Sequence, residues 1–248
     1  INILKSMNHD KLCEYCKRYV MYRSPLKLND EFEDIEKCAI EDIHGFLATE
    51  ANIRRESIVR FSFMVPVEDF ESKYAAVTHN RVGITKEGKI DKDIMMVFKR
   101  EHATGVYGLS ISMDLNYVGR SQSNPDKVLK DNNERKLRAR AALHALANIL
   151  SGNFGASRVR AEPAIKIIEL IAISSKDPVP NLTHGFYKDY IEDNKSKIES
   201  LRKLNFKDLK VYVIGERVAE EFGDLAIECE DVVDLISKLI GDIEVWLT

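Results

Sequence analysis

The sequence predicts an α+β fold: antiparallel strands with helices layered on one side. Two stretches alternate apolar and polar residues, Ile58–Val65 and Tyr107–Met113. One long stretch, Asn132–Leu150, carries a helical period. The order of elements is helices, strand, excursion, strand, long helix, strand. That order is most of a ferredoxin-like unit without its first strand and the helix pairing that goes with it. Such sheets often serve as platforms for RNA bases. Residues 1–248 read as a single domain with 67–104 as an inserted excursion.

A chain of 248 residues is long enough to bury a sizeable core. Its 44% hydrophobic and 31% charged content is that of a globular protein rich in charge. No run approaches the ~18 apolar residues of a membrane helix. The opening Ile1-Asn-Ile-Leu-Lys5 has no signal-peptide core. With only Cys13, Cys16, Cys38 and Cys229, the expected setting is a reducing cytoplasm, away from membranes. The start lacks Met, so the natural N-terminus is expected to lie upstream. Charge is segregated. Residues 130–166 hold eight Lys/Arg against three acids, 30–50 hold eight acids against one base, and 215–248 hold ten acids against two bases. This asymmetry suits a basic groove and head-to-tail self-association.

Taken in order, Asn8 can cap a helix to about Tyr22. Cys13-Glu-Tyr-Cys16 has the spacing of half a zinc site, which wants a second pair. Cys38 and Cys229 stand alone and no His-x-x-x-His exists, so two half-buried thiols and no metal or other cofactor are expected. Asp30 or Asn29 starts a helix with Phe32, Ile35, Cys38 or Ala39, and Ile43 on one stripe. The next strand places Val59, Phe61, Phe63 and Val65 on one face. Residues 67–104 fit no core period. Lys86-Glu-Gly-Lys89 reads as the tip of a projecting hairpin.

Tyr107, Leu109, Ile111 and Met113 alternate on a strand broken by Gly105 and Gly108. Ser121-Gln-Ser-Asn-Pro125 is a loop. Asn132 or Asn133 caps the long helix, whose apolar stripe is Ala139, Ala142, Leu143, Leu146 and Ile149 or Leu150. Its other stripe, Lys136, Arg140, His144 and Asn148, suits either solvent or a ligand. Ile165–Ile173 is almost continuously apolar, as in a central strand. A helix is expected from about Tyr187 to Leu204 and a strand over Lys210–Ile214. A helix near Cys229–Ile240 and a last short strand close the chain.

The stretch Ser151-Gly-Asn-Phe-Gly-Ala-Ser-Arg-Val-Arg-Ala-Glu-Pro163 concentrates unusual chemistry. Gly152 and Gly155 bracket Asn153 and Phe154, and alternation puts Arg158 and Arg160 on one face if extended. An aromatic ring, free backbone N–H groups and two guanidinium forks suit phosphate and stacked bases. A helix C-cap followed by two solvated arginines is the other reading.

Several stretches together resemble a known family: Asp42-Ile-His-Gly-Phe46, Ile53-Arg-Arg55 with Ser57, Phe63-Met-Val-Pro66, His79-x-Arg81, and Leu150-Ser-Gly-Asn-Phe-Gly155 with Arg158 and Arg160. Over roughly residues 1–215 this order resembles the backbone subunit of archaeal type I CRISPR effector complexes, DevR-like members of the RAMP superfamily. The resemblance implies a modified RNA-recognition (RRM-like) palm with an inserted thumb. It also implies that the family's first strand is missing from this chain. Copies would stack head to tail along CRISPR RNA beside other Cascade subunits and present the guide to target DNA. The resemblance implies RNA contacts at Arg54, Arg55, His79, Arg81, Asn153, Phe154, Arg158 and Arg160. His44, Lys136 and Arg140 are further candidates. It implies no catalytic residue. An endoribonuclease of the same superfamily, with histidine as general acid or base, is the alternative. A transcription regulator would need a helix-turn-helix signature, which is lacking.

Overall fold

The computed structural model describes every residue except 20–27, 69–72, 80–82, 85–89, 92–95, 103, 154–164, 207 and 248. Over the strands between 73 and 102 it describes the backbone alone. Two compact units are present. The first comprises Ile1–Phe61, Ile111–Leu182 and Ile191–Thr248; the second comprises Ser62–Ser110 and Thr183–Tyr190.

The first unit opens with short helices α1 (Asn2–Ser6) and α2 (Glu14–Lys17), not one helix from Asn8. Asn8 takes φ +57° and ends α1, a left-handed conformation that asparagine tolerates. Asp30 caps α3 (Phe32–Lys37), its Oδ1 accepting from the Phe32 and Glu33 N–H groups at 2.8 and 3.2 Å. The expected single helix then breaks at Cys38 (φ −141°, ψ 114°) and resumes as α4 (Ala39–His44). At the break the Ala39 N–H turns away to the Lys11 carbonyl at 3.0 Å. Gly45 ends α4 at φ +76°, where a Cβ would lie 2.4 Å from the Arg55 carbonyl oxygen, so only glycine fits.

Next come the hairpin β1 (Phe46–Ala48) and β2 (Ile53–Arg55), then β3 (Val59–Phe61). The second unit holds β4 (Val65–Pro66), β5 (Lys73–His79), β6 (Gly83–Ile84), β7 (Ile90–Asp91), β8 (Met96–His102) and β9 (Tyr107–Gly108). β5 runs antiparallel to β8 from Lys73↔His102 to His79↔Met96, and β6 to β7 with Ile84↔Ile90. The expected excursion therefore contains a long antiparallel pairing. Its expected tip, Lys86–Lys89, lies outside the described residues.

The chain returns to the first unit as β10 (Ile111–Met113), paired with β3 as Met113↔Val59 and Ile111↔Phe61. It continues through α5 (Asn132–Leu150), β11 (Leu170–Ser174), α6 (Tyr190–Lys203), β12 (Lys210–Ile214), α7 (Glu216–Phe222), β13 (Ile227–Glu228) and α8 (Val232–Trp246). Asp131, one residue before the expected caps, accepts the Asn133 N–H at 2.9 Å. The sheet order is β11-β12-β13. Among the described residues β11 is thus an edge strand, not the central one that its apolar run suggests.

The core lies between α5, α8 and this sheet. Ala139, Ala142, Leu143 and Leu146 of α5 meet Val232, Leu235, Ile236 and Ile243 of α8, with Tyr212 and Ile214 of β12. Each large aliphatic side chain buried there contributes about 1.5–3 kcal/mol. The α8 stripe continues at a 3.6-residue period to Leu247, so the helix absorbs the expected final strand. Among the described residues no helix is long and apolar enough to cross a membrane.

Candidate nucleic-acid interface

Arg54 and Arg55 are neighbours on β2, and successive side chains on a strand point to opposite faces. Arg54 is exposed. Arg55 is 3% exposed and lies inside the first unit. Its Nε donates to the Asp42 carbonyl at 2.7 Å, and Nη2 to Asp42 Oδ1 and the Tyr117 carbonyl, both at 2.7 Å. Nη1 donates to Glu31 Oε1 and, at 2.9 Å, to the Arg120 carbonyl. The expectation that both arginines grip phosphate is corrected here: Arg55 spends its whole fork inside the fold.

Arg55 is one member of a buried ionic chain. Asp42 is fully buried and also receives Arg138 Nη1 at 2.9 Å and the Gly119 N–H at 2.9 Å. Arg138 pairs in turn with Glu134, which binds Lys11. Glu31 accepts from the Ser121 hydroxyl at 2.8 Å and from the Gln122 and Ser123 N–H groups at 3.0 Å. Burial alone would raise the Glu31 carboxyl. The Ser123 and Gln122 amides, the Ser121 hydroxyl and Arg55 outweigh it and hold the group below the usual carboxylate range. The acid-rich stretch 30–50 therefore supplies interior counterions and fastens the 117–123 loop, rather than forming only a solvated face. That excess of acids just before an Arg-Arg pair was the available sequence signal.

Lys136 and Arg140 lie half-exposed, one turn apart on α5. Arg140 pairs with Glu244 on α8, so part of its charge is already matched. Lys136 has no ion-pair partner among the described residues. His44 is exposed at the end of α4. Gly152 takes φ +84°. The Asn153 N–H bonds the Asn148 carbonyl at 2.7 Å and the Gly152 N–H bonds Ile149 at 3.1 Å. This is a Schellman cap. These two amides are committed to the helix end, which corrects their reading as free donors, while the Asn153 side chain is on an exposed residue. Lys136, Arg140 and Asn153 thus belong to one helix and its closing turn, and Arg54 to a separate hairpin. His79 is described only as a backbone position on β5. Arg81, Phe154, Arg158 and Arg160 lie outside the described residues.

Alternation misleads at Phe61 and Phe63. Val59 packs on the core, but Phe61 is half-exposed and Phe63, in the second unit, is 89% exposed. Met64, Val106, Phe186 and Tyr187 of that unit are exposed as well. Phe186 and Tyr187 meet edge to face at 5.5 Å. His184 holds this unit together: its Nδ1 accepts the Phe186 N–H at 3.0 Å, and Nε2 lies 2.9 Å from Ser62 Oγ and 3.2 Å from the Phe63 carbonyl. With Nδ1 accepting, the ring proton sits on Nε2 and both nitrogens are engaged. Of the other described histidines, His9 is buried, and His44 and His144 are exposed.

Residues 2–195 match the family described as CRISPR-associated negative auto-regulator DevR/Csa2. A CRISPR-associated protein Cas7/Cst2/DevR of Methanocaldococcus jannaschii is 42% identical over 229 residues, covering 88% of this chain and 68% of that protein. A protein of the same description from Thermoproteus tenax is 36% identical over 247 residues, covering 94% and 74%. A CRISPR-associated aCascade subunit Cas7/Csa2 of Saccharolobus solfataricus is 27% identical over 230 residues, covering 88% and 70%. On the family match and the identities of 42% and 36%, the chain belongs to the DevR/Csa2 family of CRISPR-associated proteins.

Proposed function

We propose that this chain is a non-catalytic backbone subunit of an archaeal type I CRISPR interference complex in the cytoplasm. It binds CRISPR RNA, repeats head to tail along it beside other Cascade subunits, and leaves the guide available to pair with target DNA. The family match over residues 2–195 carries this reading. The name of the Saccharolobus relative, an aCascade subunit, supports it. The first unit would be the RRM-like palm, and the second, with its long β5–β8 pairing, the thumb.

Phosphate contacts fall to Arg54, Lys136, Arg158, Arg160 and Arg81, with His79, His44 and Asn153 beside them. Arg140 joins only by leaving Glu244. Phe154 and the exposed Phe63 offer faces for stacking, which is tolerant of base identity. These are backbone-directed and stacking chemistries, so binding should extend beyond repeat sequences.

Mixing the purified chain with repeat RNA and with unrelated RNA of equal length tests this directly. Both should be retarded on a gel and recovered intact. Cleavage at one position of the repeat would replace this reading with the endoribonuclease.

A further inference from the structure

Two segments far apart in sequence each place two ligating side chains three residues apart, giving Cys-x2-Cys-x21-Cys-x2-Glu over Cys13, Cys16, Cys38 and Glu41. The fold brings the pairs together. Cys13 is the N-cap of α2 and Cys16 lies one turn on. Cys38 is the extended residue between α3 and α4, and Glu41 is one turn into α4. The three sulfurs and a Glu41 carboxylate oxygen all lie within 4.8 Å of one another. Glu41 Oε1 is 3.7 Å from Cys13 Sγ and 3.8 Å from Cys16 Sγ. Tetrahedral zinc, with Zn–S about 2.3 Å and Zn–O about 2.0–2.2 Å, separates such sulfur and oxygen ligands by about 3.6 Å. The break at Cys38, which the helical period of 30–43 does not require, is what delivers the third sulfur.

The Cys16 N–H points at Cys13 Sγ at 3.4 Å. Such N–H···S contacts orient and stabilise thiolate ligands. Around them Leu4, Leu12, Ala39, Ile40 and Ala141 form an apolar cluster. A carboxyl among weak S–H donors in that setting is costly unless a cation compensates it. Three soft sulfurs and one oxygen favour zinc over magnesium or calcium.

We propose that Cys13, Cys16, Cys38 and Glu41 form a structural zinc site that fastens α1 and α2 to the α3–α4 junction. All four ligands come from the protein, so the site is closed and does no chemistry. It departs from the expectation of two half-buried thiols, because the second pair would be a cysteine and a glutamate rather than two Cys or His. The inference is independent of RNA binding.

The test uses the full chain, purified without a polyhistidine tag under reducing conditions and analysed for metal by mass spectrometry. About one zinc per chain is expected, kept in Cys229→Ala and lost in Cys13→Ser and Cys38→Ser. Glu41→Gln should retain zinc more weakly, because three thiolates remain. Should the cysteine variants fail to fold, the unmodified chain answers alone. Cobalt(II) added to the chelator-stripped protein should give the thiolate charge-transfer and tetrahedral d–d bands, and zinc should abolish them. A chain that carries no zinc as isolated, and takes up neither zinc nor cobalt when reconstituted, would overturn the proposal.

Discussion

Arg55→Ala should lower the stability of the chain by about 3–5 kcal/mol, the cost of leaving a buried charge without its partner. Five hydrogen bonds are lost at once, two of them to the carboxylates of Glu31 and Asp42, which stay in the interior. Whole domains are stable by about 5–15 kcal/mol, so this loss removes a large share of the margin. Arg55→Lys should rescue little, since one ammonium cannot span two carboxylates and three carbonyls. Arg54→Ala, one residue away and exposed, should change stability by no more than about 0.5 kcal/mol. Urea unfolding of the three variants reads this. An Arg55→Ala chain as stable as Arg54→Ala would remove the buried ionic chain from the explanation of the fold.

RNA affinity should fall about 100-fold between 50 and 200 mM salt. Five phosphate contacts to a single strand, from Arg54, Lys136, Arg81, Arg158 and Arg160, imply a log–log slope of about −3.5. Arg54→Ala should make that slope shallower by about 0.7 while leaving the fold intact. Fluorescence anisotropy with a labelled oligonucleotide measures both. An affinity indifferent to salt would mean that the arginines and lysine do not meet phosphate.

Much of the scaffold was readable because it depends on short-range rules. The strand Lys210–Ile214 and the long helix ending at Leu150 follow from propensity, capping and period; the structure has the strand at those bounds and caps the helix one residue earlier than expected, at Asp131. What failed depends on tertiary partners. Alternation predicts one apolar face for Phe61 and Phe63 but not that both meet solvent. It also shows that Arg54 and Arg55 must differ, yet the buried role of Arg55 rests on Glu31 and Asp42, 24 and 13 residues away. The helix break at Cys38 answers to the Lys11 carbonyl, another distant partner. Of the candidate contacts, Arg54 and Lys136 are accessible, Arg140 is shared with α8, and the glycine loop beyond Asn153 lies outside the described residues.

The central claim, that copies repeat along RNA, is tested most directly by the mass of the saturated complex as the RNA is lengthened. A head-to-tail interface does not close on itself, so it can add subunits for as long as there is strand to cover. Sedimentation of the chain with RNAs of graded length should show the bound protein mass rising in equal steps, one copy per added increment of RNA. A mass that stops at one or two copies whatever the length of RNA would contradict the filament.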